Sequence, residues 1–149
     1  MGYRRKAREL ALQMLFHLEF NKDAQGWRDT FWQIHPAVSS VREFADRLVT
    51  GVIQNQKTID DLIQKHAQHW TLERMTAVDR NILRMAIYEL MAIEEIPVKV
   101  TLNEAIEIAK RYGDEVSGAF VNGILDHMVK EKDLILVEKG GDRPALASD

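Results

Sequence analysis

The chain of 149 residues contains no cysteine, only three prolines and no apolar run as long as a membrane span. Without cysteine it forms no disulfides, no thiolate metal sites and no thiol nucleophile. A membrane helix needs about 20 mostly apolar residues, and the charged N-terminus is followed by no such segment. These absences disfavour secretion and membrane insertion, and we expect a protein of the cytoplasm.

What the chain does contain is typical of one globular domain. Hydrophobic residues make up 46% and charged residues 29% of the sequence, which is too apolar for a disordered segment. A chain of this length can bury a core of its own. We expect one domain over 1–137, with a first half over about 1–70, a second half over about 71–137, and a flexible tail over 138–149.

Positive charge is concentrated at the N-terminus. Arg4, Arg5, Lys6 and Arg8 lie within the first eight residues, which contain no acid, while the rest of the chain has a net charge of −7. Such asymmetry suggests an anionic partner that is met locally, most simply a nucleic acid. The alternative is a solvated helix start without a partner.

Apolar residues in the first 20 positions recur at helical spacing. The pattern predicts a helix from Tyr3 to about Phe20, with Leu10 and Met14 on its buried face. The same rotation places the basic residues on an exposed edge beside this face, close to Phe16. An aromatic ring there can stack on an unpaired base, and the alternative is that Phe16 packs in the core.

The rest of the chain is also expected to be helical. A short helix with core aromatics Trp27, Phe31 and Trp32 ends near Pro36, because the residue before proline avoids helical geometry. Further helices are expected from Ser39 or Ser40 through Val52, from Thr58 to Ala67, from Thr76 to Ile93, from Thr101 to Tyr112, and from about Glu115 to Lys130, with packing extended by 134–137.

Several local signals refine these boundaries. Thr76 with Asp79, and Thr101 with Glu104, have the spacing of capping boxes. Residues 96–100 alternate like a strand but contain a proline, and we interpret them as an extended connector. Gly113 is a suitable glycine just after a helix end.

Signals for catalysis or metal binding are weak. His66 and His69 have an i, i+3 spacing that could share a metal, but no further ligand is marked nearby, and we predict no metal site. Phosphate-binding glycine loops and nucleophile turns are absent from the sequence. Glu107 and Arg111 are interpreted as an ordinary i, i+4 helix pair. We therefore predict neither a catalytic residue nor a cofactor.

An Asn-Gly pair interrupts the last apolar helix. Asn122 and Gly123 are both poor helix formers, so some other interaction must favour them there. The favoured interpretation is close helix packing at Gly123, with Asn122 bonded to a neighbouring element. Direct contact with a ligand is the alternative.

Taken together, the motifs resemble the NusB family of bacterial transcription antitermination factors. The resemblance spans most of the chain but is not evident over residues 21–70. The matching segments are 4–9 with 11–13, 82–84 with 88–90, 96–100, 103–105, 109–110 and 120–123 with 125.

The resemblance implies an all-α fold of about seven helices in two helical-bundle subdomains. It also implies binding to the boxA element of nascent ribosomal leader RNA, as a heterodimer with the NusE-type small-subunit ribosomal protein. That pair joins other Nus factors on RNA polymerase.

Site residues follow from the same resemblance, position by position. The matching RNA-binding positions are Arg4, Arg5, Lys6, Arg8, Phe16, Phe120 and Asn122. Phe16 stands where tyrosine is frequent, so a phenolic hydroxyl is missing, and Asp79 stands where a longer acid is common. Asp79 and Arg84 could contact either the RNA or the protein partner.

Two other classes remain open. Ribosomal RNA cytosine methyltransferases contain a similar helical domain, but this chain shows neither a nucleotide-binding βαβ region nor a cysteine nucleophile. The other class is a protein–protein scaffold or self-associating module without sequence-specific RNA binding. A homodimer that hides the RNA surface is compatible with the RNA-binding function and with the self-associating scaffold.

Overall fold

The computed structural model describes residues 2–21 and 25–131, and its regular elements are all helical. Six α-helices and one 3₁₀ helix confirm the expected all-α fold of about seven helices. The helices are α1 (Gly2–Phe20), α2 (Trp27–Ile34), α3 (Ser39–His66), the 3₁₀ helix (Leu72–Arg74), α4 (Ala77–Ala92), α5 (Val98–Tyr112) and α6 (Ser117–Lys130). The predictions for residues 132–149 lie outside the described residues.

Helix α1 packs on α3 and α4 through its apolar stripe. Leu10 and Met14 are buried, as the periodicity predicts, and Met14 is among the largest fully enclosed side chains. The rotation of α1 about its axis is therefore the expected one. It directs the N-terminal basic residues toward α5 and the solvent.

Helix α4 forms the centre of the molecule. It contacts α1, α3, α5 and α6, because its apolar residues cover most of its circumference. Its start is the predicted one, since the hydroxyl of Thr76 accepts a hydrogen bond of 3.1 Å from the backbone N–H of Asp79. Both halves of the chain pack on α4 and share one hydrophobic cluster. The division into two subdomains stays a prediction.

Helix α3 corrects the position of one helix start. The expected break between Val52 and Thr58 is present, but it lies at Asn55, so the second helical segment begins before Thr58. The interruption is a kink at Asn55, whose backbone leaves helical geometry while its side chain donates a 2.8 Å hydrogen bond to the carbonyl of Gly51. Gly51 packs against the ring of Tyr88, which fills the space that a Cβ at position 51 would need.

Helix α5 corrects a second expectation. Residues 98–100 are its first turn and not an extended connector, because a proline next to the helix start is compatible with helical geometry beyond it. Thr101 consequently lies inside the helix, so the expected capping box with Glu104 is wrong. The helix ends before Gly113, as predicted.

Candidate nucleic-acid interface

The four basic residues of α1 have very different environments. The side chain of Arg5 is 48% exposed and that of Arg8 only 4%. Lys6 is exposed and Arg4 is half-buried. The expectation that all four lie on an exposed edge is therefore wrong for Arg8, because α4 and α5 cover that side of the helix.

Arg8 belongs to a buried polar cluster. Its guanidinium makes two hydrogen bonds, of 2.9 and 2.6 Å, to the carboxylate of Glu89 in α4. The hydroxyl of Thr101 in α5 donates a third bond of 2.7 Å to the same carboxylate. A bidentate pair of this kind fixes both position and orientation, so Arg8 sets the register of α1 against α4 and α5.

Arg5 pairs with α5 at the edge of this cluster. Its Nε and Nη2 donate bonds of 2.9 and 2.7 Å to Glu104, which also lies 3.6 Å from the Arg8 guanidinium. The hydrogen bonds from Arg5, followed by its charge, hold the pKa of Glu104 below its usual range. Arg5 thus presents a charge that is accessible to solvent and partly neutralised by one acid.

Arg4 faces two aromatic rings. Its guanidinium carbon lies 5.7 Å from the ring centroids of both Tyr3 and Phe44. Its Nε–H is buried and donates no hydrogen bond to any described residue. The rings orient the group while leaving hydrogen-bonding capacity unused.

These residues line a basic cavity of about 480 Å³ between the start of α1 and α5. Glu9 and Glu104 are its acidic members. Its basic lining consists of Arg4, Arg5, Lys6, Arg8 and Arg111. Guanidinium groups in such a cavity can bind phosphate oxygens in a bidentate manner.

A second cavity, the aromatic groove, lies between α1 and α2 and has a volume of about 890 Å³. Phe16 is 42% exposed on its wall, so the alternative that this ring packs in the core is wrong. The ring of Phe20 lies 5.1 Å away, and Tyr112 of α5 lines the same groove. Exposed rings of this kind can stack on unpaired bases.

Phe120 and Asn122 lie on α6 and line neither of these two cavities. Phe120 is half-buried and packs edge-on against Trp70, with 6.3 Å between the ring centroids. Asn122 is exposed, and a Cβ at Gly123 would meet nothing within 4 Å. The expected close helix packing at Gly123 is therefore wrong, because this side of α6 faces outward. The structure leaves it accessible to a partner.

Asp79 is buried at the start of α4. Its Oδ1 has no hydrogen-bond partner among the described residues, and burial raises the pKa of the carboxyl. The neighbouring Val78 lines the aromatic groove. Asp79 itself is buried near Ser117 at the start of α6 and does not line the groove.

Arg84 belongs to an internal ion-pair network. It donates hydrogen bonds of 2.8 and 3.1 Å to Asp60 and one of 2.9 Å to Glu19. Arg80 and Asn81 bind the same Glu19 carboxylate. The Arg84 guanidinium is buried and hydrogen-bonded to both Asp60 and Glu19. These internal bonds account for its position without an external ligand.

Sequence reasoning missed Arg111 as a site residue. Arg111 donates a 3.0 Å hydrogen bond to Glu9 of α1, and the helix pair expected with Glu107 does not form. No local signal could have shown this, because Glu9 lies 102 positions earlier in the chain.

The histidines also pair differently from the sequence expectation. His66 Nδ1 lies 2.7 Å from Nδ1 of His127 on α6, whereas His69 is exposed. No group of three metal-ligating side chains occurs within 2–21 and 25–131. In the same ranges no helix is both long and apolar enough to cross a bilayer.

Comparisons with known proteins agree with this architecture. The chain is 51% identical over 131 residues to a transcription antitermination protein NusB of Trichlorobacter lovleyi, covering 86% of this chain and 91% of the relative. It is 42% identical to the structure of T. maritima NusB, with a TM-score of 0.78 and coverage of 90% and 97%.

A further solved structure contains antitermination factors NusB and NusE in complex with dsRNA. It matches 88% of this chain and 98% of the solved chain, with 27% identity and a TM-score of 0.77. The model of the NusB family matches residues 5–130. With this match over most of its length, the chain belongs to the NusB family.

Proposed function

We propose that this protein is an RNA-binding transcription antitermination factor that acts with a NusE-type ribosomal protein. The relatives named as transcription antitermination proteins and the solved complex of NusB, NusE and dsRNA support this role. The RNA is the boxA element of ribosomal leader transcripts, bound as a single strand. Other Nus factors and RNA polymerase are indirect partners. The protein acts in the cytoplasm, by binding and not by catalysis.

The observation that carries this proposal is the contiguity of a basic cavity and an aromatic groove along α1. Arg4, Arg5 and Lys6 supply accessible positive charge, and Phe16 supplies an exposed ring farther along the same helix. Phosphates and splayed bases of a single strand need these two surfaces side by side. Arg8 contributes by positioning α1 through Glu89.

The remaining candidate residues divide by exposure. Phe120 and Asn122 lie on the accessible side of α6 and form a second proposed contact, with RNA or protein. The burial of Asp79 favours a role inside the protein over direct contact with RNA or the protein partner. The engagement of Arg84 with Glu19 and Asp60 favours a role in stability.

Internal acids explain why a partner is required. Glu9 and Glu104 offset part of the positive charge in the basic cavity, so the cavity alone would attract RNA weakly and in a salt-sensitive manner. Two proteins that share one RNA combine modest surfaces into a specific one. Specificity therefore belongs to the heterodimer.

The decisive experiment is a titration of labelled single-stranded boxA RNA and a scrambled strand, with and without the ribosomal partner. We expect the partner to increase the affinity for boxA by about tenfold, a coupling of about 1.4 kcal/mol, and to affect the scrambled strand much less. Equal gains on both strands would contradict sequence recognition by the pair.

Replacement of Arg4, Arg5 and Lys6 by glutamine tests the basic cavity. The slope of log K against log salt should flatten by about 2.1, from roughly 0.7 per phosphate contact, while the helical circular dichroism stays intact. A matched triple variant of exposed cations elsewhere, Arg47, Lys57 and Lys130, should leave the slope unchanged. Equal flattening in both would remove the cavity from the interface.

A pull-down from bacterial lysate with and without ribonuclease separates this function from that of a scaffold. Recovery of the ribosomal partner in both samples, together with boxA binding in the titration, supports the heterodimer. Partner or self-association without any RNA binding would favour the scaffold.

A further inference from the structure

Arg111 and Tyr112 end helix α5 at the junction of the two cavities. Arg111 lines the basic cavity and Tyr112 lines the aromatic groove. These adjacent residues therefore connect the two surfaces that the proposed function uses separately. Neither is explained by core packing, because both side chains are exposed.

Arg111 is held in place while most of its donors remain accessible. Its side chain is 64% exposed, and Nη1 donates one 3.0 Å bond to Glu9. Its guanidinium carbon lies 5.6 Å from the centroid of the Tyr112 ring. An arginine has five N–H donors, so this arrangement leaves several for a phosphate.

Tyr112 presents a ring face at the edge of the groove that contains Phe16. Partial desolvation of its hydroxyl and the negative charge of Glu9 raise the pKa of Tyr112, so the side chain is neutral in physiological conditions. Glu9 is itself buried on α1. One acid therefore holds both residues of the α5 end against α1.

The position along α1 is the strongest argument. Glu9 lies one turn after Arg5 and two turns before Phe16, and Arg5 and Phe16 are separated by about 16 Å along the helix axis. Arg111 is bonded at this intermediate point. A strand that contacts both Arg5 and Phe16 would have to cross the end of α5.

We propose that Arg111 and Tyr112 form an additional RNA-binding element, in which Arg111 binds a phosphate and Tyr112 stacks on the adjacent base. This inference rests on the proposed function and specifies the path of the single strand: from the basic cavity, across the end of α5, into the aromatic groove. Glu9 is the positioning residue of this element. Stacking on tyrosine and charge pairing with arginine are both tolerant of base identity.

The test measures binding of a short single-stranded boxA-type RNA by the full chain with its ribosomal partner. Arg111→Gln should weaken binding several-fold and flatten the salt slope by about 0.7. Tyr112→Leu should weaken it by about fivefold or more without changing the slope, and Tyr112→Phe, which keeps the ring, should stay within about twofold of wild type.

Lys57→Gln is the matched control. Lys57 lies on α3 with a 90% exposed side chain and lines neither the basic cavity nor the aromatic groove. Equal losses for Lys57→Gln and Arg111→Gln would indicate general charge attraction and overturn the phosphate contact. Equal losses for Tyr112→Phe and Tyr112→Leu would overturn the stacking.

A second measurement keeps the test valid if Tyr112→Leu lowers stability. RNAs with one abasic position at a time should bind wild type more weakly at one position, and that penalty should disappear in Tyr112→Leu. Persistence of every penalty would contradict a stacking role.

Arg5→Gln distinguishes failure of this inference from failure of the proposed function. If Arg5→Gln lowers affinity while Arg111→Gln and Tyr112→Leu have no effect, only the additional element is wrong. If the wild-type complex shows no preference for boxA RNA, the proposed function fails as well.

Discussion

Two clusters of similar composition lie near opposite ends of α1. The open cluster contains Arg5, Arg8, Glu89 and Glu104, and the closed cluster contains Glu19, Asp60, Arg80 and Arg84. Each holds two arginines and two acids joined by bidentate hydrogen bonds.

The clusters differ in exposure and in surplus charge. Side chains of the closed cluster are 10–21% exposed, and each of its arginines makes four hydrogen bonds, to the acids, Asn81 or backbone carbonyls. The open cluster has one buried pair and one accessible arginine, with Lys6 and Arg111 nearby. Arginine content alone therefore does not mark a nucleic-acid site. The proposed RNA site differs in having positive charge that internal acids leave unsatisfied.

Glu89→Gln gives the largest expected effect, at the buried end of the open cluster. Loss of this charge leaves the buried Arg8 with only Glu104, 3.6 Å away, as a counter-charge, which should lower the free energy of unfolding by up to about 3–5 kcal/mol. Urea denaturation measures this, with Glu95→Gln as the control, since Glu95 is half-exposed and pairs with Arg47. A loss as small as in the control would show that the pair does not anchor α1.

Arg84→Gln tests the closed cluster. Asp60 loses its arginine while Glu19 retains Arg80 and Asn81, so we expect a loss of about 1–3 kcal/mol in the free energy of unfolding. The salt dependence of RNA binding, measured well below the melting temperature, should stay as in wild type. A flattened slope would instead make Arg84 a phosphate contact and erase the distinction between the clusters.

Asp79→Asn tests a buried acid that belongs to neither cluster. Burial raises the pKa of the Asp79 carboxyl in the folded protein above its pKa in the unfolded chain. The free energy of unfolding therefore falls as the pH rises from the unfolded pKa through the folded pKa. The variant should be more stable than wild type at pH 7, by about 1 kcal/mol, and equal to it below the unfolded pKa. Thermal melts across this pH range measure the difference in stability between the variant and wild type. A difference that does not change with pH would contradict a raised pKa of Asp79.

Glu104→Gln is the smallest and sharpest change in the open cluster. Removing the acid frees the charge of Arg5, so affinity for single-stranded RNA should rise about two- to fivefold and the salt slope should steepen. Stability should fall by less than about 1 kcal/mol, because the Arg5 side of this pair is exposed to solvent. Asp61→Gln, on an exposed helix pair, serves as the control. Unchanged affinity would indicate that Glu104 does not compete with phosphate.

Errors in the sequence interpretation have a common origin. The period of α1 placed Leu10 and Met14 inside correctly, since burial of a stripe depends on spacing alone. The same periodicity predicted an exposed Arg8. That prediction was wrong, because Glu89 in α4 provides an internal partner. The second segment of α3 begins at the kink at Asn55 instead of at Thr58, and at Thr101 a buried hydroxyl bond to Glu89 replaces the expected cap.

The sequence by itself determined the helical class, the buried face of α1 and the concentration of positive charge at its start. These properties follow from the spacing and composition of residues that are close together in the chain. Only the tertiary structure decided which charges remain available. The partners of Arg8 and Arg111 lie 81 and 102 positions away, and packing of α1 against α4 and α5 brings them together.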